Sequence, residues 1–211
     1  MKKITILLFS LALTSMYAQK VDIRLYGGLG LSEFSNKNTS LLDNYVNHTE
    51  SVSGMPGAQA GFKLGYGHRF YIEPGVEWSQ VVLKVVNKSN VNDSVYEDNA
   101  KMNMIAVPLH VGFKLFDTEK QKIFNVRLMG GLTGSHVLSI NHSKKSELSG
   151  DFNRDDFKKT IFSADAGLGI DIWIFYVEMQ YKFGFTPVFA GNGNNSTFTN
   201  IHFNAGLKFS F

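Results

Sequence analysis

The sequence predicts an all-β chain: an eight-stranded antiparallel transmembrane β-barrel with up-and-down meander topology. Three observations point there. Stretches of period-two alternation recur along the chain, the links between them alternate short and long, and aromatic residues gather beside the short links. Successive side chains of a strand point to opposite faces, so this alternation marks a wall with one apolar and one polar side.

The last stretch is the clearest. Ile201, Phe203, Ala205, Leu207, Phe209 and Phe211 alternate with His202, Asn204, Gly206, Lys208 and Ser210. The same pattern covers Ile105–Leu115, Ala164–Ile172 and Val177–Phe185, and weaker versions cover Val21–Leu31, Ala58–Tyr66, Phe70–Val82 and Phe124–Leu132. That makes eight strands, the even number that bacterial barrels show.

Short links are expected at Gly67-His68-Arg69, Asp117–Lys122 and Trp173-Ile174, and long polar ones at Glu33–Met55, Asn87–Ala100, Asn141–Thr160 and Val188–Thr197. Short turns with both chain ends on one side, and long loops on the other, is the layout of an outer-membrane barrel. Tyr66, Phe70 and Tyr71, Phe116 and Phe124, Trp173, Phe175 and Tyr176, and Phe209 with Phe211 sit beside the short links. They are read as an aromatic belt at headgroup level.

Composition agrees with this reading. The 211 residues are 44% hydrophobic and 18% charged, as in an ordinary soluble domain, because half the wall of a barrel faces a polar interior. Beyond the first twenty positions no apolar run reaches the length of a spanning helix. A dispersed net charge of +3 argues against nucleic acid as a partner. The absence of cysteine removes disulfides, a lipidated anchor and a thiol nucleophile.

The first segment reads as an export label. Lys2 and Lys3 precede an apolar core, Ile4–Leu13, and a polar stretch with small Ala18 at the expected cleavage point. Residues 1–18 are therefore expected to be a signal peptide and 19–211 a single barrel domain. Export together with the alternating wall places the chain in the outer membrane of a Gram-negative bacterium, with outer-membrane lipid and lipopolysaccharide as its surroundings.

Taking the polar face as inward fills the lumen with charge: Arg24, Lys63, His110, Lys114, Arg127, Lys182 and Lys208 against Asp22, Glu73, Glu77, Asp165, Asp171 and Glu178. An eight-stranded barrel is just wide enough for side chains to fill it. Isolated charges there are prohibitively costly, so these groups are expected to pair. Inward glycines such as Gly65, Gly112, Gly169 and Gly206 leave room for long cationic stems.

Other chemistry is not expected. Gly27-Gly28-Leu29-Gly30 lacks the following Lys-Ser/Thr and helix of a phosphate loop. The six histidines show no metal-ligand spacing. No catalytic, cofactor or metal residues are assigned, and the chain is not expected to be an enzyme. The loop Asn141–Thr160, with Lys144-Lys145, Asp155-Asp156 and Lys158-Lys159, suits contact with lipopolysaccharide or an envelope protein partner.

Several segments carry a family resemblance. Phe203, Leu207, Phe209 and terminal Phe211 resemble the sorting strand read by the barrel-assembly machinery. Tyr71-Ile72-Glu73-Pro74-Gly75-Val76-Glu77-Trp78-Ser79, Ile105–Leu109 with Gly112-Phe113-Lys114, and Ala166–Ile170 with Phe175–Tyr181 resemble strands of the Bacteroidota outer membrane β-barrel domain proteins, the PorT-like family. The resemblance spans nearly the whole mature chain and implies fold and location. Some such relatives assist secretion or gliding, and no family site residues carry over. Asp93-Ser94-Val95 resembles an O-glycosylation signal of the same phylum.

Function is expected to be a structural or interaction role at the cell envelope, with a side-chain-filled lumen. Two alternatives stay open: a narrow channel or accessory component of a secretion or transport complex, and a soluble periplasmic lipocalin-like barrel, in which the faces would be inverted.

Overall fold

A computed structural model describes residues 20–35, 51–88, 95–116, 123–143, 158–187 and 197–211. The segment read as a signal peptide, the Asp117–Lys122 link and Asp93-Ser94 lie outside the described residues. Eight strands run in chain order: β1 (Val21–Ser35), β2 (Ser51–Gly67), β3 (Phe70–Lys88), β4 (Val95–Lys114), β5 (Phe124–Ser143), β6 (Thr160–Ile172), β7 (Phe175–Gly184) and β8 (Thr197–Ser210). Each pairs antiparallel with its sequence neighbours, and β1 pairs with β8 to close the barrel.

Closure leaves no sheet edge, which the hydrocarbon core of a membrane demands because an unpaired backbone group has no water there to bond. The seam runs from Asp22 opposite Ser210 to Ser35 opposite Thr197. It extends to the last residue: Val21 N donates to Phe211 O (3.2 Å), and Phe211 N donates to Val21 O (2.9 Å).

The faces sort as the alternation requires. Leu25, Leu29, Phe62, Leu64, Ile72, Val107, Leu109, Val111, Leu128, Leu132, Leu168, Val177, Met179, Phe203 and Leu207 point outward and are exposed. Along β7 the outward row runs from Phe175 to Phe185. Ten steps of about 3.3 Å, tilted by about 40°, raise it through about 25 Å, the height of the apolar band of an outer-membrane barrel. Val21–Leu31, Ile105–Leu115, Phe162–Ile172 and Ile201–Phe211 have the same length.

Two short turns lie on the end that carries Val21 and Phe211. Ile172 pairs with Phe175, so Trp173 and Ile174 alone make the β6–β7 turn. Trp173 adopts φ 55°, a left-handed conformation that a two-residue hairpin turn requires and that costs a bulky residue of order 1 kcal/mol. Exposed on the headgroup side, its indole has an interfacial place that a glycine could not use.

The structure corrects the sequence reading in two places. β3, β4 and β5 continue well past the apolar band, to 19, 20 and 20 residues, so more than half of the expected loop Asn87–Ala100 is strand, as are the ends of Glu33–Met55 and Asn141–Thr160. Beyond the lipid both faces of a strand meet water, and the alternation fades while the backbone ladder persists. The second correction concerns Tyr71 and Tyr176, assigned to the aromatic belt. Both are buried in the lumen. They share the parity of Glu73 and Glu178, and that parity decides the side.

Candidate functional site

The lumen is built by alternation on all eight strands. Six carboxylates point into it: Asp22, Glu73, Glu77, Asp165, Asp171 and Glu178. Six fixed cations oppose these six carboxylates: Arg24, Lys63, Lys114, Arg127, Lys182 and Lys208. The fixed charges of the predicted set, six of each sign, cancel.

Most of them form one network toward the turn side. Lys114 Nζ lies 2.8 Å from Asp22, which also pairs with Arg24 at 3.2 Å. Arg24 reaches over β2 to Glu73 and across the barrel to Asp171 at 3.5 Å. Arg127 is the hub. Its Nε donates to Asp171 (2.8 Å) and its Nη2 to Glu178 (3.2 Å), with Glu73 at 3.8 Å. Lys63 joins Glu178 (2.5 Å) to Glu73 (3.8 Å), and Lys208 caps Asp171 at 3.1 Å. Arg24, Lys63, Glu73 and Arg127 have no exposed surface. A planar guanidinium offers five donors in a fixed fork, which lets this one side chain bond Asp171, Glu178 and the Tyr71 hydroxyl at once.

Two smaller clusters lie nearer the loop side. Lys182 donates to Glu77, which also accepts from Tyr26 Oη at 2.7 Å. Asp165 faces His110 Nε2 at 3.0 Å and accepts from Ser163 Oγ (3.1 Å) and from Thr133. Both hydroxyls donate to the carboxylate, not to the imidazole, so this Ser, His and Asp do not form the relay that activates a nucleophile. Among the described residues no three His, Asp or Glu converge on a metal-sized site.

The inward tyrosines complete the packing, and sequence reading missed this role. Arg24 and Lys114 lie 5.8 and 5.4 Å from the Tyr71 ring centroid, Arg127 lies 5.4 Å from that of Tyr176, and Lys63 lies 4.9 Å from that of Tyr26. Cations over ring faces gain from the ring quadrupole where water is excluded. Glycines make the room. A Cβ at Gly112 would lie 2.2 Å from Tyr71 Cζ, and one at Gly169 2.8 Å from an Arg127 nitrogen. Gly112→Ala is therefore expected to displace Tyr71 from its 3.3 Å bond to Arg127. Overpacking of this kind costs about 1–3 kcal/mol, readable as a lowered urea midpoint for the refolded barrel.

Sequence reading also missed an apolar collar. On β3 the inward residues run from Glu77 through Ser79 to Val81, on β4 from His110 through Ala106 to Met104 and Met102, on β5 to Val137, and on β6 from Asp165 through Ser163 to Ile161, all buried. Charge gives way to hydroxyl and methyl groups, then to aliphatic side chains, toward the loop side. Parity runs unbroken through the collar, as in Met102, Met104, Ala106 and His110 of β4, but polarity inverts: at this height Gln80, Lys101 and Asn103 are the outward residues and the inward ones are aliphatic, so a rule that sends polar residues inward misses it. On β8 and β2, Asn204 accepts a hydrogen bond from Gln59, another polar contact that the pattern alone did not disclose.

An apolar outer face about 25 Å tall around a charge-paired lumen defines a transmembrane β-barrel. The lipocalin-like alternative needs these faces inverted and is set aside. The family model for the outer membrane protein beta-barrel domain matches residues 17–190. The chain belongs to that family, and it is a small outer-membrane barrel with a polar, side-chain-filled lumen. Its fold is similar to OprG of Pseudomonas aeruginosa (12% identity over 92% of this chain and 96% of that one, TM-score 0.49). It is also similar to Ail of Yersinia pestis (10%, 89% and 98%, 0.41) and to Neisserial surface protein A (13%, 89% and 97%, 0.44). No curated protein matches the sequence.

Proposed function

We propose that this protein is a plugged, non-conducting barrel that serves as a rigid structural and interaction platform in the outer membrane. The observation that carries this reading is the continuity of the plug: every strand, β1 through β8, contributes at least one charged side chain to the lumen. Above it the collar of Val81, Met102, Met104, Val137 and Ile161 supplies a second, dry barrier. Among the described residues the carboxylates and fixed cations of the lumen are engaged with one another rather than left to a passing ion. What such a barrel contributes is its outer wall and its loop side, where contacts to envelope proteins and lipopolysaccharide are made.

The PorT-like resemblance supports the same reading, since it implies a location and a fold without a catalytic site. Phe203, Leu207, Phe209 and Phe211 form the outward row of the closing strand. They are the signal by which the barrel-assembly machinery receives the chain. Signal cleavage near Ala18 leaves Val21 free to pair with Phe211.

Conductance tests the plug. The refolded mature chain, placed in a planar bilayer, is expected to show no steps above leak. Stable, reproducible steps would replace the platform with a narrow channel.

A further inference from the structure

The fixed charges of the lumen are paired, but one of its walls holds polar groups that are not. On β8 the inward residues Asn200, His202 and Asn204 follow one another, with Gln180 next to them on β7 and Gln59 two strands over on β2; none is more than 3% exposed. Gln59 and Asn204 bond over Gly28, which stands opposite both. A Cβ at Gly30 would lie 3.0 Å from the His202 ring, so the glycines of β1 let the β8 side chains lie across it. Gln180, opposite His202, donates to Glu178 at 2.7 Å. Six atoms of this group have no hydrogen-bond partner among the described residues: Gln59 Oε1, Gln180 Oε1, Asn200 Oδ1, Asn204 Nδ2 and both ring nitrogens of His202. A buried polar atom left dry is costly, and these six gather on one wall.

The register places this wall. Asn204 pairs with Glu178 of the charge network, so His202 and Asn200 stand one and two inward positions to its loop side. The aliphatic collar lies on β3–β6. β8 and β1 stand opposite β4 and β5 in the closed ring, and there the wall stays polar up to the paired Asn200 and Ser32, both buried. The pairing of β2 with β3 is irregular between Met55 and Gln59, and an irregularity of this kind re-aims the side chain beside it. Charge then narrows what these atoms can hold. An anion needs a cation to spare, yet Lys182 is held by Glu77 and Lys63 by Glu178. A cation needs a carboxylate, and Glu77 is engaged by Lys182 and Tyr26, Asp165 by His110, Ser163 and Thr133. An apolar guest would leave all six atoms dry.

We infer that Gln59, Gln180, Asn200, His202 and Asn204 form an internal binding site for small neutral hydroxyl-bearing molecules, resident water or a polyol of glycerol size. A hydroxyl both donates and accepts. It therefore serves the three amide oxygens, the Asn204 amide and either ring nitrogen of His202, whether that nitrogen carries a proton or not. A buried water satisfies such groups with about three hydrogen bonds, and a polyol offers the same chemistry on a carbon frame. The inference goes beyond the platform reading and leaves the plug intact, because the site ends on the charge network at Glu178.

Magnetic resonance of the full mature chain, isotope-labelled and refolded into deuterated detergent micelles, tests the site. Rotating-frame Overhauser cross-peaks, whose sign separates contact from exchange, are expected between a hydroxyl resonance and the side-chain amides of Asn200 and Asn204 and the ring protons of His202. If the guest is water, that resonance is the solvent line, and added glycerol leaves these side chains unchanged. If it is a polyol, glycerol gives saturable shifts at them and displaces the solvent cross-peaks. In His202→Phe the amide cross-peaks are lost, and in His202→Gln, which still bonds a hydroxyl, they are kept. Neither cross-peaks nor saturable shifts in the parent, or amide cross-peaks undiminished in His202→Phe, overturns the inference. The parent spectrum decides even where a variant does not refold. Conductance steps would remove the plug and leave these contacts standing, so the two readings fail separately.

Discussion

Replacing Arg127 by methionine is expected to destabilise the barrel by about 3–5 kcal/mol, the cost of removing one partner from a buried ion network. Arg127 is held by Asp171 at 2.8 Å and Glu178 at 3.2 Å, with Glu73 at 3.8 Å and the Tyr71 hydroxyl at 3.3 Å. Methionine keeps much of the volume and leaves three carboxylates with less positive charge than they need. The measurement is reversible urea unfolding in lipid vesicles, followed by tryptophan fluorescence and by the gel mobility of the folded form. Arg127→Lys should lose less, because it retains the charge but not the planar fork. Arg127→Met combined with Glu178→Gln should recover part of the loss, since it removes one of the stranded carboxylates. Strong coupling between the two sites is the signature of a network. A loss below about 1 kcal/mol for Arg127→Met would mean that water reaches the hub and screens it as it does a surface pair.

This network also shows how far a sequence can be read. Alternation fixes which side of the wall a residue faces, so Arg24, Glu73, Arg127 and Glu178 could be assigned to the lumen without a structure. It carries no information about partners across the barrel. Arg24 and Glu73 are separated by 49 positions, and Lys63 and Glu178 by 115. Their meeting depends on strand tilt and closure, which pattern does not specify. Parity also outweighs composition where the two compete. Tyr71 and Tyr176 lie beside short turns among other aromatics, yet the period of two sends them inward, where their rings pack against arginine and lysine. Where parity holds but polarity inverts, at Met102 and Met104 inward against Lys101 and Asn103 outward, the inner collar escaped notice. The extension of β3 to β5 beyond the lipid was hidden for a related reason: past the apolar band the outward side chains no longer need to be apolar, so the strand loses its alternation while keeping its ladder.

The lipid-facing assignment has its own energetic test. Along β4 the outward row runs Ile105, Val107, Leu109, Val111, Phe113, Leu115. Its midpoint falls between Leu109 and Val111, which are 53% and 59% exposed and so have no protein cover to hide a charge. Leu109→Arg or Val111→Arg is expected to cost about 2–4 kcal/mol, falling to about 0–1 kcal/mol for the same change near an interface. The sequence supplies the natural comparison, because the same face of the same strand already carries Lys101 four outward positions above Leu109. Arginine at Asn103, one position below Lys101, should therefore be nearly neutral, and the cost should climb along the series Asn103, Ile105, Val107, Leu109. Equilibrium unfolding in vesicles of fixed thickness gives the profile. A peak at Leu109 locates the bilayer midplane on β4. A flat profile would mean that this face does not meet lipid, and the apolar row would then need a protein partner to cover it.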